Sequence, residues 1–341
     1  MNEHLRSVDP MRKEVETENG NIFFYKKLVI STGGSVKALG SASEAAAPVY
    51  HLQTIDDADL FKDVMTKAHS KIALVVGGSF IGMELVNSLV ANGFQVHLVL
   101  KGNGFWSGEL GQIGDALLEG AMKENNVIIY KNTEVIQFEK PKEDSRNLIT
   151  VHLKSGNKID VDVIAAGVGI LRNLDVFRNR GVDIRQGIVT NEYLETSAPG
   201  IWAAGDVAEY FDLTFQQHSV VGNWTNAFLQ GRTAGLNMVA DGVAVQKTPF
   251  KNIASYAITV LGNHITFLGD TLRFENTEII ERGVEGKFHE RFFLVDNKLI
   301  GAIMMNKFED KVKLQSWIDQ GAILDQIKGV LADPTADLRA L

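Results

Sequence analysis

Residues 75–84 read Val75-Val76-Gly77-Gly78-Ser79-Phe80-Ile81-Gly82-Met83-Glu84. They close a β-branched run at 72–76 and open a helical stripe through Leu85, Leu89 and Val90 that stops at Asn92-Gly93. A second apolar strand follows at 96–100. Strand, glycine-rich turn, helix and strand form the βαβ frame in which G-x-G-x-x-G acquires a physical meaning. Gly77 permits the tight turn. Ser79 fills the second glycine slot and is small enough to admit a pyrophosphate with mild crowding. Gly82 lets helix and strand approach, and the helix N-terminus offers free N–H groups to an anion. The binding set expected from this turn is Gly77, Gly78, Ser79, Phe80, Ile81 and Gly82. The bland alternative is a glycine-rich α/β turn that binds nothing.

The end of the second strand bears on which nucleotide is held. An acidic residue about 20 positions on bonds the ribose 2′-hydroxyl of NAD in such units. Here Leu100 holds that place and cannot make the bond. Lys101, beside it, either attracts a 2′-phosphate, which tilts toward NADPH, or is a solvated loop charge.

Outward from this unit the pattern stays α/β. Short extended runs are expected at 22–25 and 28–30, a small Ala-rich linker at 41–48 and a helix at 55–68. Leu110, Ile113, Leu117 and Ala121 share one helix face. A strand follows at 127–130, then runs at 148–153 and 159–164 around a Ser155-Gly156-Asn157 turn. A long helix spans 224–240. The tail changes to a hairpin around Asp296-Asn297-Lys298 and helices at 312–319 and 323–331, an α+β segment.

Composition sets the bounds. The 341 residues suit two or three domains, and 45% apolar content supports full cores. Thirty-two glycines against six prolines fit tight strand-to-helix turns. The net charge of −8 disfavours a nucleic-acid partner. With no cysteine, this chain supplies no thiolate ligand, nucleophile or disulfide. The eight histidines form no ligand-like spacing, and no metal site is argued. The first ten residues are polar, and no run nears the roughly 20 apolar residues of a membrane span. A cytoplasmic location is therefore expected.

A second motif runs Thr196-Ser197-Ala198-Pro199-Gly200-Ile201-Trp202-Ala203-Ala204-Gly205-Asp206. A short strand ends in Gly205-Asp206, where glycine permits close approach and aspartate accepts hydroxyl hydrogen bonds. Taken alone, a turn aspartate capping a helix is the better explanation.

Together the stretches 28–33, 77–84, 162–169 and 196–206 resemble the pyridine nucleotide-dependent FAD oxidoreductases, over nearly the whole chain and in the family's order. The family motif T-x-x-x-x-[IV]-[YWF]-A-x-G-D places its aspartate, here Asp206 after Gly205, on the FAD ribityl chain. Ser31-Thr32-Gly33 resembles the A-T-G motif and implicates Thr32 and Gly33. Asn223-Trp224-Thr225-Asn226-Ala227-Phe228-Leu229-Gln230-Gly231-Arg232 points to the branch of ferredoxin/rubredoxin reductases and apoptosis-inducing factor. There a helix is aimed at the flavin, and its N-terminal partial charge favours reduced flavin. Trp224 either covers the flavin ring or is a core aromatic in a stripe with Ala227, Gly231, Ala234 and Met238. Relatives often carry an acid where this chain has Gly222. Glu84 resembles the glutamate that helps orient the nicotinamide in relatives, the alternative being an acid that is favourable near a helix N-terminus in any case. Gly167 and Gly169 resemble a second nicotinamide-side loop, a plain crossover turn being the alternative.

The resemblance implies two Rossmann-like domains, one inserted in the other, with a C-terminal α+β interface domain. FAD binding is expected over 1–50 and 170–246, NAD(P) binding over 51–169, and an interface or homodimer role for 247–341. The implied activity is hydride transfer from NAD(P)H to FAD and onward electron transfer to a protein or small-molecule acceptor such as ferredoxin, rubredoxin, quinone or oxygen. Relatives open with their own flavin-side G-x-G-x-x-G, and this chain starts beyond it. The natural product is thus expected to be longer, or FAD binding by these residues weak. Two other functions follow from that gap. One is a nucleotide-binding regulator without turnover. The other is a disulfide reductase or NADH oxidase whose cysteines lie in the absent segment.

Overall fold

The computed structural model describes residues 3–39, 47–139, 148–242, 245–271 and 276–341, so most of the expected linker at 41–48 lies outside the described residues. The chain divides into two compact units, residues 1–35 with 170–254 and residues 36–169 with 255–341. It passes from the first unit into the second, returns, and ends in the second.

The second unit is built on a parallel sheet in the order Val163–Ala166, Ile72–Val76, Gln95–Val99 and Val127–Tyr130. Ala73, Leu74 and Val75 are fully buried. Helices Phe80–Ala91 and Gly111–Glu124 connect the parallel strands. These helices cover one face, and on the other Leu74, Val99 and Ile164 pack with Phe138, Ile149 and Val151; with both faces covered, the central strand reads as a continuous apolar run rather than an alternation. From Ile72–Val76 the chain steps outward in one direction through two strands. Val163–Ala166 then docks on the opposite side. The carboxyl ends of these two strands flank the place where strand order reverses, the usual ligand crevice of such sheets.

Glycine is required at that crevice. Gly77 has φ +108°, and a Cβ there would collide with the carbonyl oxygen of Gly167. A Cβ on Gly82 would overlap the carbonyl oxygen of Gly77, and one on Gly167 would sit 2.5 Å from the Gly82 nitrogen. Three backbones from a strand end, a helix start and a second strand end therefore interlock. The Gly167 N–H donates to the Val76 carbonyl at 2.9 Å, and the Gly77 N–H to Val99 at 3.0 Å.

The run expected as one strand at 159–164 is two. Lys158–Val161 pairs antiparallel with Ile149–Leu153, and Val163–Ala166 joins the parallel sheet. Asp162 makes the switch by accepting from the Ser70 and Ile72 N–H groups at 3.3 and 3.0 Å. Apolar alternation carries straight through this residue and cannot register the change of sheet.

The C-terminal segment folds as a five-stranded antiparallel sheet with flanking helices. Strands Phe288–Val295 and Lys298–Met305 meet at Asp296-Asn297, with φ +50° and +62°. Positive φ at both central residues is the type I′ hairpin turn that Asp and Asn tolerate. The helix expected at 323–331 begins later. The Leu324 N–H donates to Asn297, and a 3₁₀ turn precedes the short helix Lys328–Ala332. Buried Arg282 bonds Glu290 at 2.7 Å, Asp310 at 2.6 Å and the carbonyls of Asp333 and Ala336. A buried guanidinium is tolerable because its donors are met on each side. Burial pushes the Glu290 carboxyl up, and Arg282 opposes that shift.

In the first unit, Leu28–Ile30 pairs parallel with Ile201–Ala203 over a core that includes Ile30, Phe177, Ile188 and Val207. Helix Trp224–Ala240 starts at Asn223, whose side chain accepts from the Asn226 N–H at 2.6 Å. Its buried face corrects the apolar stripe read from the sequence. Asn226, Gln230, Ala234, Asn237 and Ala240 face inward, while Trp224 is 81% exposed. The inward amides bind backbone. Asn237 donates to the Tyr193 and Thr248 carbonyls at 3.0 and 2.8 Å and accepts from the Thr248 N–H at 2.8 Å. Burying an amide costs little when its hydrogen bonds are made, so polarity did not predict exposure.

Replacing Gly82 with Ala drives a methyl group into the Gly77 carbonyl. We expect a loss of about 1–3 kcal/mol or more, the cost of overpacking, seen as a lower thermal midpoint. An unchanged midpoint would mean that helix and strand can separate freely.

Candidate functional site

A cavity of about 400 Å³ opens in the second unit over the strand ends, with Gly77, Gly78, Ser79 and Leu100 in its wall. That size lies in the range of small-ligand and cofactor sites. Ser79 has extended backbone and makes no side-chain capping bond to the helix it precedes. The first helical turn carries no acidic side chain, so its positive end faces the turn without local compensation. Gly78 has a packing role as well: a Cβ there would strike the Leu100 side chain. Gly167, Val168 and Gly169 also line it, Gly169 with φ +98°.

The loop after the second strand closes the cavity. The Trp106 N–H donates to the Gly78 carbonyl at 2.9 Å. Trp106 and Ser107 both have left-handed backbone, φ +44° and +58°. Non-glycine residues held so cost about 1 kcal/mol or more each, and the surrounding contacts must hold them. The Asp115 carboxylate accepts from the Phe105 N–H at 3.2 Å, and burial raises its pKa. Periodicity carried no sign of Trp106 or Ser107; the signal was a Gly-rich stretch between two clear elements.

The remaining predicted residues of this unit are placed as follows. The Phe80 ring stacks on Tyr256 at 5.1 Å and packs edge-on against Trp106 and Phe267. It therefore joins the nucleotide-type segment to the antiparallel sheet. Ile81 and Glu84 are exposed on the helix. Lys101 is exposed, and its ammonium lies 3.5 Å from Glu134.

In the first unit, Gly205-Asp206 follows the strand Ile201–Ala203 and leads into another strand, Ala208–Asp212, rather than a helix. Asp206 is thus not a helix cap. Gly205 has φ +81°, and its N–H donates to the Gln230 side-chain oxygen at 2.7 Å. The Gln230 amide nitrogen is buried with no hydrogen-bond partner among the described residues. Arg172 donates to the Asp206 carbonyl. A Cβ on Gly222 would lie 3.7 Å from the Asp206 carboxylate, so an acid at 222 would face a like charge. Thr32 is exposed and Gly33 has φ +60°, just beyond the paired strand Leu28–Ile30. Trp224 stacks on Phe228 at 5.8 Å. Sequence reading missed Arg172 and gave Gln230 only as part of the 223–232 stretch, without its bond to Gly205, because each acts through a contact distant in the chain.

Comparison with known proteins agrees with this architecture. The family model described as pyridine nucleotide-disulphide oxidoreductase matches residues 1–231. The chain is 25% identical over 311 residues to the NADH-dependent phenylglyoxylate dehydrogenase subunit epsilon of Aromatoleum evansii, covering 90% of this chain and 71% of that one. It is 29% identical over 306 residues to apoptosis-inducing factor 3 of Mus musculus, covering 88% of this chain and 48% of that one. It thus spans about half the length of the mouse relative. A crystal structure of a ferredoxin reductase from Rhodopseudomonas palustris superposes with TM-score 0.85 at 21% identity, over 100% of this chain and 81% of that one. Among the described residues no helix is long and apolar enough to cross a membrane.

Gln230→Met keeps the bulk of the side chain but removes the acceptor for the Gly205 N–H. A buried donor left unpaired costs about 1–3 kcal/mol. Chemical denaturation should show that loss; a wild-type midpoint would mean another group or water takes over.

Proposed function

The chain belongs to the pyridine nucleotide-disulphide oxidoreductase family, in the branch of ferredoxin/rubredoxin reductases and apoptosis-inducing factor, and we propose that it is an FAD-dependent NAD(P)H oxidoreductase. The observation that carries this reading is the interlock of Gly77, Gly82 and Gly167 beneath a cavity at the point of strand reversal. Backbone must come close to a bulky anion there, and side chains are excluded from the turn.

The backbone of residues 77–82 receives the dinucleotide pyrophosphate at the helix N-terminus. The Gly169 loop borders the same cavity, and Glu84 orients the nicotinamide. In the first unit the Asp206 carboxylate, the Gly205 turn and Thr32-Gly33 hold FAD, with Trp224 beside the ring. The donor set fits that group: a half-buried carboxylate for hydroxyls, a positive-φ glycine that keeps the backbone open, and a buried amide with an unmet donor. When bound, FAD supplies hydride acceptance from NAD(P)H and electron release. Gln230 and Arg172 fix the Gly205-Asp206 backbone so that the carboxylate keeps its position. Because the chain has no cysteine, none of its own residues can pass electrons through a thiol. A small redox protein such as a ferredoxin or rubredoxin is the proposed acceptor. The names of relatives support that choice, among them the Bacillus subtilis assimilatory nitrate reductase electron transfer subunit and a putidaredoxin reductase of Pseudomonas putida.

With FAD supplied in excess and oxygen excluded, NADH or NADPH should bleach protein-bound flavin and drive reduction of ferricyanide. Asp206→Ala should weaken FAD retention about tenfold or more, the worth of a charge-assisted hydrogen bond. Absence of reduction with either nucleotide defeats the enzymatic reading. Unchanged flavin retention in Asp206→Ala removes that residue from the site.

A further inference from the structure

The strand end that usually carries the ribose-binding acid holds Leu100, whose side chain is buried against Gly78. An acid nevertheless stands at this corner of the cavity, supplied from elsewhere in the chain. Residues 132–134 are stitched to the strand end: the Thr133 N–H donates to the Leu100 carbonyl at 3.2 Å, and the Asn132 N–H to Gly102 at 3.1 Å. The Glu134 carbonyl accepts from the Lys154 N–H at 2.9 Å, and Thr133 Oγ1 from the Ser155 N–H at 3.0 Å. The segment is thus held on both sides, and Glu134 lines the cavity together with Leu100 and Lys101.

We propose that Glu134 selects the nucleotide, by accepting hydrogen bonds from a free adenosine ribose diol, and that the site prefers NADH to NADPH. The inference rests on the dinucleotide reading of this cavity. A carboxylate only accepts, and a diol offers two donors. A 2′-phosphate brings nearly two negative charges to the same corner and meets Glu134 as a like charge. Lys101 is the cation that would attract that phosphate, but its ammonium lies 3.5 Å from Glu134, so a phosphate drawn to it would sit beside the carboxylate. Their side chains are 82% and 48% exposed; such a pair is weak and leaves both groups able to turn to a ligand, Glu134 to the diol. The other lysine in the cavity wall, Lys37, belongs to the opposite side, where its N–H donates to the Gly169 carbonyl at 3.0 Å. This proposal runs against the tilt toward NADPH that Lys101 suggests in the sequence.

The test is titration of the purified protein with NADH and with NADPH, followed by nucleotide fluorescence, for the wild type, Glu134→Gln and Glu134→Arg. The wild type should bind NADH about tenfold tighter or more, the worth of a hydrogen bond to a charged group. Glu134→Gln should lose most of that ratio through weaker NADH binding, and Glu134→Arg should favour NADPH. Equal affinities in the wild type, or a preference that survives both substitutions, overturns the role of Glu134. If neither nucleotide binds the wild type, the dinucleotide reading falls, and this inference with it.

Discussion

Three peptide units that touch without side chains between them set the geometry of the second unit. The carbonyl of Gly77 fills the space a Gly82 side chain would need, and Gly167 presses on both. The consequence is steric and immediate. Helix Phe80–Ala91 can start directly over the sheet only if the strand ends approach to backbone contact. Once they do, the first N–H groups of the helix stand over the gap between two parallel strands. The cavity follows from that approach.

What surrounds the interlock is recruited from distant stretches of chain. Phe80 leaves the turn and enters an aromatic cluster with Tyr256, Trp106 and Phe267. Asn87 adds hydrogen bonds to the same sheet, donating to the Thr259 carbonyl at 2.6 Å and accepting from the Leu261 N–H at 3.0 Å. The antiparallel sheet therefore buttresses the nucleotide-type helix. The loop 101–110 is held in a costly backbone conformation by the Trp106–Gly78 hydrogen bond and by Asp115. Left-handed non-glycine residues persist where their surroundings over-determine them, and here they wall the cavity.

The first unit solves its problem with amides. Gln230 holds Gly205, Asn237 ties the helix to residues 193 and 248, and Asn226 accepts from Asn252 at 3.1 Å. Each inward amide replaces an apolar contact with directional bonds to backbone. Directional bonds fix the Gly205-Asp206 turn more narrowly than packing alone, since a hydrogen bond weakens steeply off its axis. The exposed Trp224–Phe228 pair lies on the other side of the same helix.

The sequence by itself determined the local elements and the places where glycine is needed. The βαβ frame at 72–100, the hairpin at Asp296-Asn297 and the helix at 224–240 were all legible, because period, turn chemistry and capping are properties of neighbouring residues. The strand Ile201–Ala203 ending in Gly205-Asp206 was legible for the same reason. Only the tertiary structure decided which polar residues turn inward, that Asp162 moves the chain from one sheet to another, and that Glu134 stands beside Leu100. Those outcomes depend on hydrogen bonds between residues well separated in the chain, from 11 positions for Asn237 with Thr248 through 25 for Gln230 with Gly205 to 90 for Asp162 with Ile72. Periodicity sees only the nearest turns of chain, and the partners that fix these side chains exist only once the backbone has folded back on itself.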